Sequence, residues 1–209
     1  MAERRFGPTY HSEDSVAPTY TYPHTISNGA GEELTFVRLV SDPAGDYLEG
    51  TNRVQPGSGP PMHVHHLQEE GLTVQAGRIG YQVLGQEPKY ASVGETVVFA
   101  AGVAHRFWNA GEDELLCTGY IKPAHNIIYF LEAIFDSTRR NGGQQPDPFD
   151  AAFLTTRYKS EFEMLEIPPF VRRFIFPVLV LVGRLLGKYK KYADAPEPVR
   201  AQRPREKVT

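Results

Sequence analysis

The chain has 209 residues, 41% hydrophobic and 22% charged, which is enough apolar material for one sizeable core and too much for a disordered chain. Its 22 Lys and Arg against 25 Asp and Glu leave a formal charge of -3, without the basic excess that drives binding to a polyanion, so nucleic acid is not expected as a partner. A lone cysteine, Cys117, excludes an internal disulfide and a thiolate zinc cluster; with no apolar run near the start of the kind a secretory signal carries, a cytoplasmic location is expected.

Residues 1–32 hold turn formers and scattered tyrosines without a sustained period and are expected to form an N-terminal arm. From 33 to 122, short runs of β-branched and aromatic residues alternate with Gly- and Pro-rich turns every eight to twelve residues, the pattern of an antiparallel barrel or jelly roll. Beyond Pro123 the period becomes helical. Ile127, Ile128, Leu131, Ile134 and Phe135 share one helical face, with Asn126 as its expected N-cap and Asn141-Gly142-Gly143 as its stop. A second helix is expected at roughly 149–164 and a third at roughly 169–191, so 123–193 form a helical extension and 194–209 a charged, Pro-rich, disordered tail.

The seven histidines are unevenly spread, and three stand in a telling arrangement. His63 and His65 are two apart on a short run, so as strand residues they project from the same face. Glu70 opens the next strand and offers a carboxylate, and His105 arrives from a later one. Three imidazoles and a carboxylate without thiolate suit Fe, Mn, Ni, Cu or Zn and leave positions open to water or substrate. Glu69, one position earlier, competes with Glu70 for that place. His66 has the wrong parity to join the pair, and His11, His24 and His125 are read as structural or surface residues. Alternation from His105 turns Phe107 and Asn109 inward and Arg106 and Trp108 outward; Tyr81 lies on the inward face of the preceding strand. Tyr81, Phe107 and Asn109 are therefore the candidate substrate-pocket residues, whereas Arg53 and Arg78 read as solvated.

The segments Gly57–Gly77 and Gly94–Asn109 resemble the two sequence motifs of the cupin family. The first is filled at Gly57, His63, His65, Glu70 and Gly77, and its six-residue spacing to Gly77 favours Glu70 over Glu69; the second is filled at Gly94, Gly102, His105 and Asn109, with Ala100 where the family usually has Pro. The resemblance implies a mainly β fold, a double-stranded β-helix (cupin jelly-roll barrel) with a C-terminal α-helical extension, holding one divalent transition metal through His63, His65, Glu70 and His105. It further implies a small-molecule substrate and a homodimer. The favoured activity is that of a metal-dependent oxygenase, resembling the quercetin dioxygenase-like cupins, with Glu70 as ligand and catalytic proton acceptor. The alternatives are a non-enzymatic cupin that binds a small ligand or metal, and a sugar isomerase or epimerase.

The third helix is unusual. Its run from Phe174 to Gly183 is uncharged, and residues 167–193 hold six of the 22 basic residues and none of the 25 acidic ones, so the remainder has a formal charge of -9. The run is too short to span a bilayer. Burial against the protein or in a dimer is expected, with peripheral membrane contact through 170–191 as the less favoured alternative.

Overall fold

The computed structural model describes residues 19–200. Two antiparallel sheets face each other. The first contains β1 (His24–Ser27), β2 (Glu32–Val40), β3 (Tyr47–Val54), β10 (Leu115–Lys122), β5 (Glu69–Ala76) and β8 (Thr96–Phe99), hydrogen-bonded in that order. The second is ordered β11 (Phe162–Met164), β4 (His63–His65), β9 (His105–Asn109), β6 (Ile79–Val83) and β7 (Lys89–Ala91). Along β9 the residues His105, Phe107 and Asn109 are buried and Arg106 and Trp108 only partly so, which is the alternation a half-buried strand imposes. Val54, Leu72, Val74, Ile79, Phe99, Phe107 and Leu115 fill the space between the sheets.

The turn leading into β4 depends on Gly59. Its φ is +153°, and a Cβ there would collide with the carbonyl oxygen of Phe107, so the approach of this loop to β9 requires glycine. The sheet also reaches further back than expected. β1 lies within 1–32 and pairs with β2 from His24↔Phe36 to Ser27↔Glu33, because Ile26 is apolar enough to join the core. Residues 1–18 of the expected arm lie outside the described residues.

The helical extension is real but divided differently from its sequence pattern. Helix α1 (Ile127–Arg140) buries Ile127, Ile128, Phe130 and Phe135. Asn126 precedes it without a side-chain cap bond; its amide instead donates to Glu161 Oε1 (2.7 Å) and the Glu197 carbonyl (2.9 Å). Helix α2 (Pro148–Arg157) is capped by Asp147, whose Oδ1 accepts from Phe149 N and Asp150 N. It stops well short of 164. Residues 162–164 turn into β11 and pair with β4, Phe162↔His65 and Met164↔His63, because the exposed edge of β4 offers backbone partners that another helical turn would leave unmet. The third helix is likewise interrupted: a π-helical turn (Val171–Ile175), α3 (Phe176–Leu185) and a 3-10 turn (Lys188–Tyr192) follow one another, with Gly187 at φ +67° ending α3.

Residues 194–200, expected to be part of a disordered tail, are held in place. Arg157 Nη2 donates to the carbonyls of Ala195 and Pro196, Tyr158 Oη donates to Pro196 O, and Val199 N donates to the buried Glu161 carboxylate at 2.9 Å. A charged composition hid these anchors, since each partner lies roughly 40 positions upstream. The rest of that tail, 201–209, lies outside the described residues.

Candidate metal centre

Strand β4 presents His63 and His65 two residues apart, and His105 enters from the neighbouring β9, its backbone paired with His63. Glu70 comes from the opposite sheet, on β5, between Ile121 and Phe99. The cluster therefore bridges the two sheets. Its four ligand atoms lie within 4.8 Å of one another, and all four residues are buried. Glu70 Oε2 is 3.0 Å from His105 Nε2, 3.6 Å from His65 Nε2 and 3.9 Å from His63 Nε2.

The other ring nitrogens define what these atoms are. His63 Nδ1 is 2.7 Å from the Pro61 carbonyl and His105 Nδ1 is 2.9 Å from the Val103 carbonyl. A carbonyl only accepts, so both Nδ1 atoms carry the proton and both Nε2 atoms turn a lone pair inward. His65 Nδ1 is 3.2 Å from Gln68 Oε1, and Gln68 Nε2 donates to Ala124 O at 2.8 Å, which fixes the amide so that its oxygen accepts from His65. All three rings are thus oriented as metal-ligating histidines are, with the far nitrogen tied down. Gln68 was not singled out from the sequence. Its one signal there is a polar residue three positions after His65; its anchor, Ala124, is 56 positions away.

Three lone pairs and a carboxylate facing one another repel unless a cation or extra protons sit among them. Extra protons are disfavoured at His65, whose imidazole is pushed down to about 4, chiefly by burial. Burial by itself would raise the Glu70 carboxyl; where the surrounding imidazoles of His105, His63 and His65 carry a second proton, their hydrogen bonds and charge hold it below the usual carboxylate range, and a bound cation in place of those protons does the same. It is ionised at neutral pH. Two ligand atoms each about 2.1 Å from one ion sit roughly 3.0–3.4 Å apart; Glu70 and His105 have that spacing, and the other atoms, all within 4.8 Å, need only draw in a little. The residues fit a divalent metal.

Glu69 points the other way and accepts from Tyr120 Oη at 2.6 Å on the outer face of the sheet. His66 faces Glu163 (3.3 Å), and His24 faces Glu132 (3.2 Å). His125 is an exposed residue in the turn before α1, and His11 lies outside the described residues. Arg53 pairs with Glu114 and Arg78 lies over the Tyr90 ring, both away from the cluster.

The walls are aromatic. Phe99 stacks on the His105 ring (centroids 3.9 Å) and meets Tyr81 at 6.1 Å, while Phe107 follows His105 on the inward face. Phe162 approaches His65 edge-on at 5.5 Å and is backed by Phe130 at 4.6 Å, so the C-terminal extension supplies one wall of the site. Asn109 does not line it. Four residues beyond His105 along the strand, or about 13 Å, it donates to the carbonyls of Val54 and Asp113 and accepts from Gly111 N, tying down the turn after β9. Its amide is fully used by backbone, which removes it from the pocket residues.

Glu32 is another buried carboxyl that the sequence reading missed. At the start of β2 it is 7% exposed, and its pKa is pushed up to about 7, first by burial and then by the charge of Glu70. Asn28 Nδ2 donates to it at 3.2 Å.

Residues 50–118 match the family model described as Cupin domain, so this part of the barrel is a cupin domain. Over 68 residues the chain is 29% identical to the "Probable oxidoreductase virH" of Hypocrea virens; the matched stretch is 32% of this chain and 31% of that protein, so the chain spans about a third of the curated relative. Solved structures similar to it include KdgF from Halomonas sp. (17% identical, 47% of this chain and 85% of that one, TM-score 0.40). A mutant of oxalate decarboxylase OxdC from Bacillus subtilis is another (16% identical, 46% and 26%, TM-score 0.38).

Proposed function

We propose that the chain is a metal-dependent oxidoreductase of the oxygenase type, acting on a small, oxygen-bearing, partly apolar or aromatic molecule. The observation that carries this reading is the set of three inward-facing Nε2 atoms and one ionised carboxylate, buried among aromatic side chains. His63, His65, Glu70 and His105 would hold the ion, which can be Fe, Mn, Ni, Cu or Zn. When bound, it supplies an electrophilic centre with positions left open for substrate and dioxygen. The similarity to a probable oxidoreductase agrees with this class.

The chain's own residues then have definite tasks. Pro61 O, Val103 O and Gln68 keep the protons on Nδ1 and the lone pairs inward. Phe99, Phe107, Tyr81 and Phe162 exclude water and favour an apolar substrate body, which speaks against a sugar isomerase. Glu70 is the one carboxylate of the cluster and so its candidate proton acceptor, though its lowered pKa makes it a weak base.

A second reading, a cupin that binds metal or a small ligand without turnover, draws support from the enclosure of the site, with every ligand residue at most 8% exposed. Oxygen consumption separates the two. Protein loaded in turn with iron, manganese, nickel and copper is offered flavonols and diketones in an oxygen-electrode cell. Uptake that disappears in Glu70→Ala supports the oxygenase; metal-replete protein inert toward both substrate classes supports the binding protein.

A further inference from the structure

The C-terminal helical segment carries a surface that the barrel and its site do not explain. Phe176, Val180 and the close-fitting Gly183, at i, i+4 and i+7, turn toward α2, where Phe176 and Val180 cluster with Ala152. The opposite side is bare. Of the fourteen large apolar residues exposed among the described residues, eight fall between 170 and 186, led by Leu185 (80% exposed), Leu186, Phe170, Leu181, Val178 and Phe174. Scattered exposed apolar residues need no explanation, but a continuous helical stripe of them does.

Charge decides what can cover it. Residues 167–193 hold six basic residues and no acid. Two of the six are committed within the chain, Arg172 to Glu163 and Lys191 to Asp150, both through side-chain bonds. Lys188 Nζ lies over the Phe149 ring of α2 at 4.5 Å, which leaves Arg173, Arg184 and Lys190 as a cationic rim at both ends of the stripe, without a carboxylate partner among the described residues. Joining two copies through this stripe would bring two such rims together around an apolar seam, where like charges repel. An anionic lipid surface satisfies both features, since acyl chains take the stripe and phosphates take the rim. No helix among the described residues is long and apolar enough to cross a membrane, and α3 has only ten residues, so the segment would lie in the headgroup region.

We infer that the stripe from Phe170 to Leu186, with Arg173, Arg184 and Lys190, is a docking surface for an anionic bilayer. The chain would then work at a membrane face, where apolar substrates concentrate. The test is sedimentation of the full chain with phosphatidylcholine vesicles, with and without phosphatidylserine, at low and high salt, alongside light scattering. The expected result is binding only to the anionic vesicles and release by salt. Arg184→Gln with Lys190→Gln should lower the partition coefficient about 25-fold, at about fivefold for each charge lost. Leu181→Glu with Leu185→Glu should abolish binding while leaving the circular dichroism spectrum and melting temperature unchanged, since both side chains are exposed. Absence of binding to anionic vesicles at low salt overturns the inference. So does a leucine double variant that turns a dimer into a monomer without altering sedimentation, which would make the stripe an interface between copies.

Discussion

Glu32→Gln tests the electrostatics of the barrel interior. The substitution removes an ionisable group while keeping an oxygen to accept from Asn28 Nδ2. In the folded chain the carboxyl titrates at about 7 against an ordinary value of 4.5. A raised acid pKa means that folding disfavours the charged form. Below pH 4.5 the group is neutral in both states and costs nothing; from there to about 7 the unfolded chain ionises first and the wild type loses stability; above 7 the cost is fully present. The shift corresponds to about 3 kcal/mol. Urea unfolding of both proteins at about pH 4 and about pH 8, with chelator to suppress metal linkage, should show equal stabilities in acid and a more stable variant in base. A gap that does not vary with pH, or a variant weaker throughout, would refute the reasoning.

Gln68→Leu keeps volume but frees the His65 ring, and metal affinity measured by competition with a chromophoric chelator should fall 10- to 100-fold. Glu70→Gln should weaken metal binding in the same assay and Glu69→Gln should not, because Glu69 faces Tyr120 outside the barrel. Phe162→Ala should cost about 3–5 kcal/mol in chemical unfolding, since the ring is 4% exposed and wedged between His65 and Phe130.

The ligand set was legible because strand alternation is local: His63 and His65 share a face by parity alone, and the spacing to Gly77 chose Glu70 over Glu69. The supports were not, because they depend on distant chain. Gln68 is aligned by Ala124 O, and Glu32 is poised by burial between sheets and by the charge of Glu70. The second helix was overextended for a related reason. Residues 162–164 have no strong preference of their own, and the open edge of β4 decided their conformation. Asn109 shows the reverse error, since inward parity was right but its amide was claimed by the backbone of Val54 and Asp113.

The central claim is that four side chains from two facing sheets hold one metal ion. Elemental analysis of untagged protein, purified without chelator, tests it most directly when the wild type is compared with His105→Ala. The account predicts close to one divalent transition-metal ion per chain in the wild type and a near-complete loss in the variant, with a lower melting temperature because the bound ion no longer stabilises the folded state. Wild-type protein free of metal after growth in metal-supplemented medium, or a variant that keeps full occupancy, would contradict it.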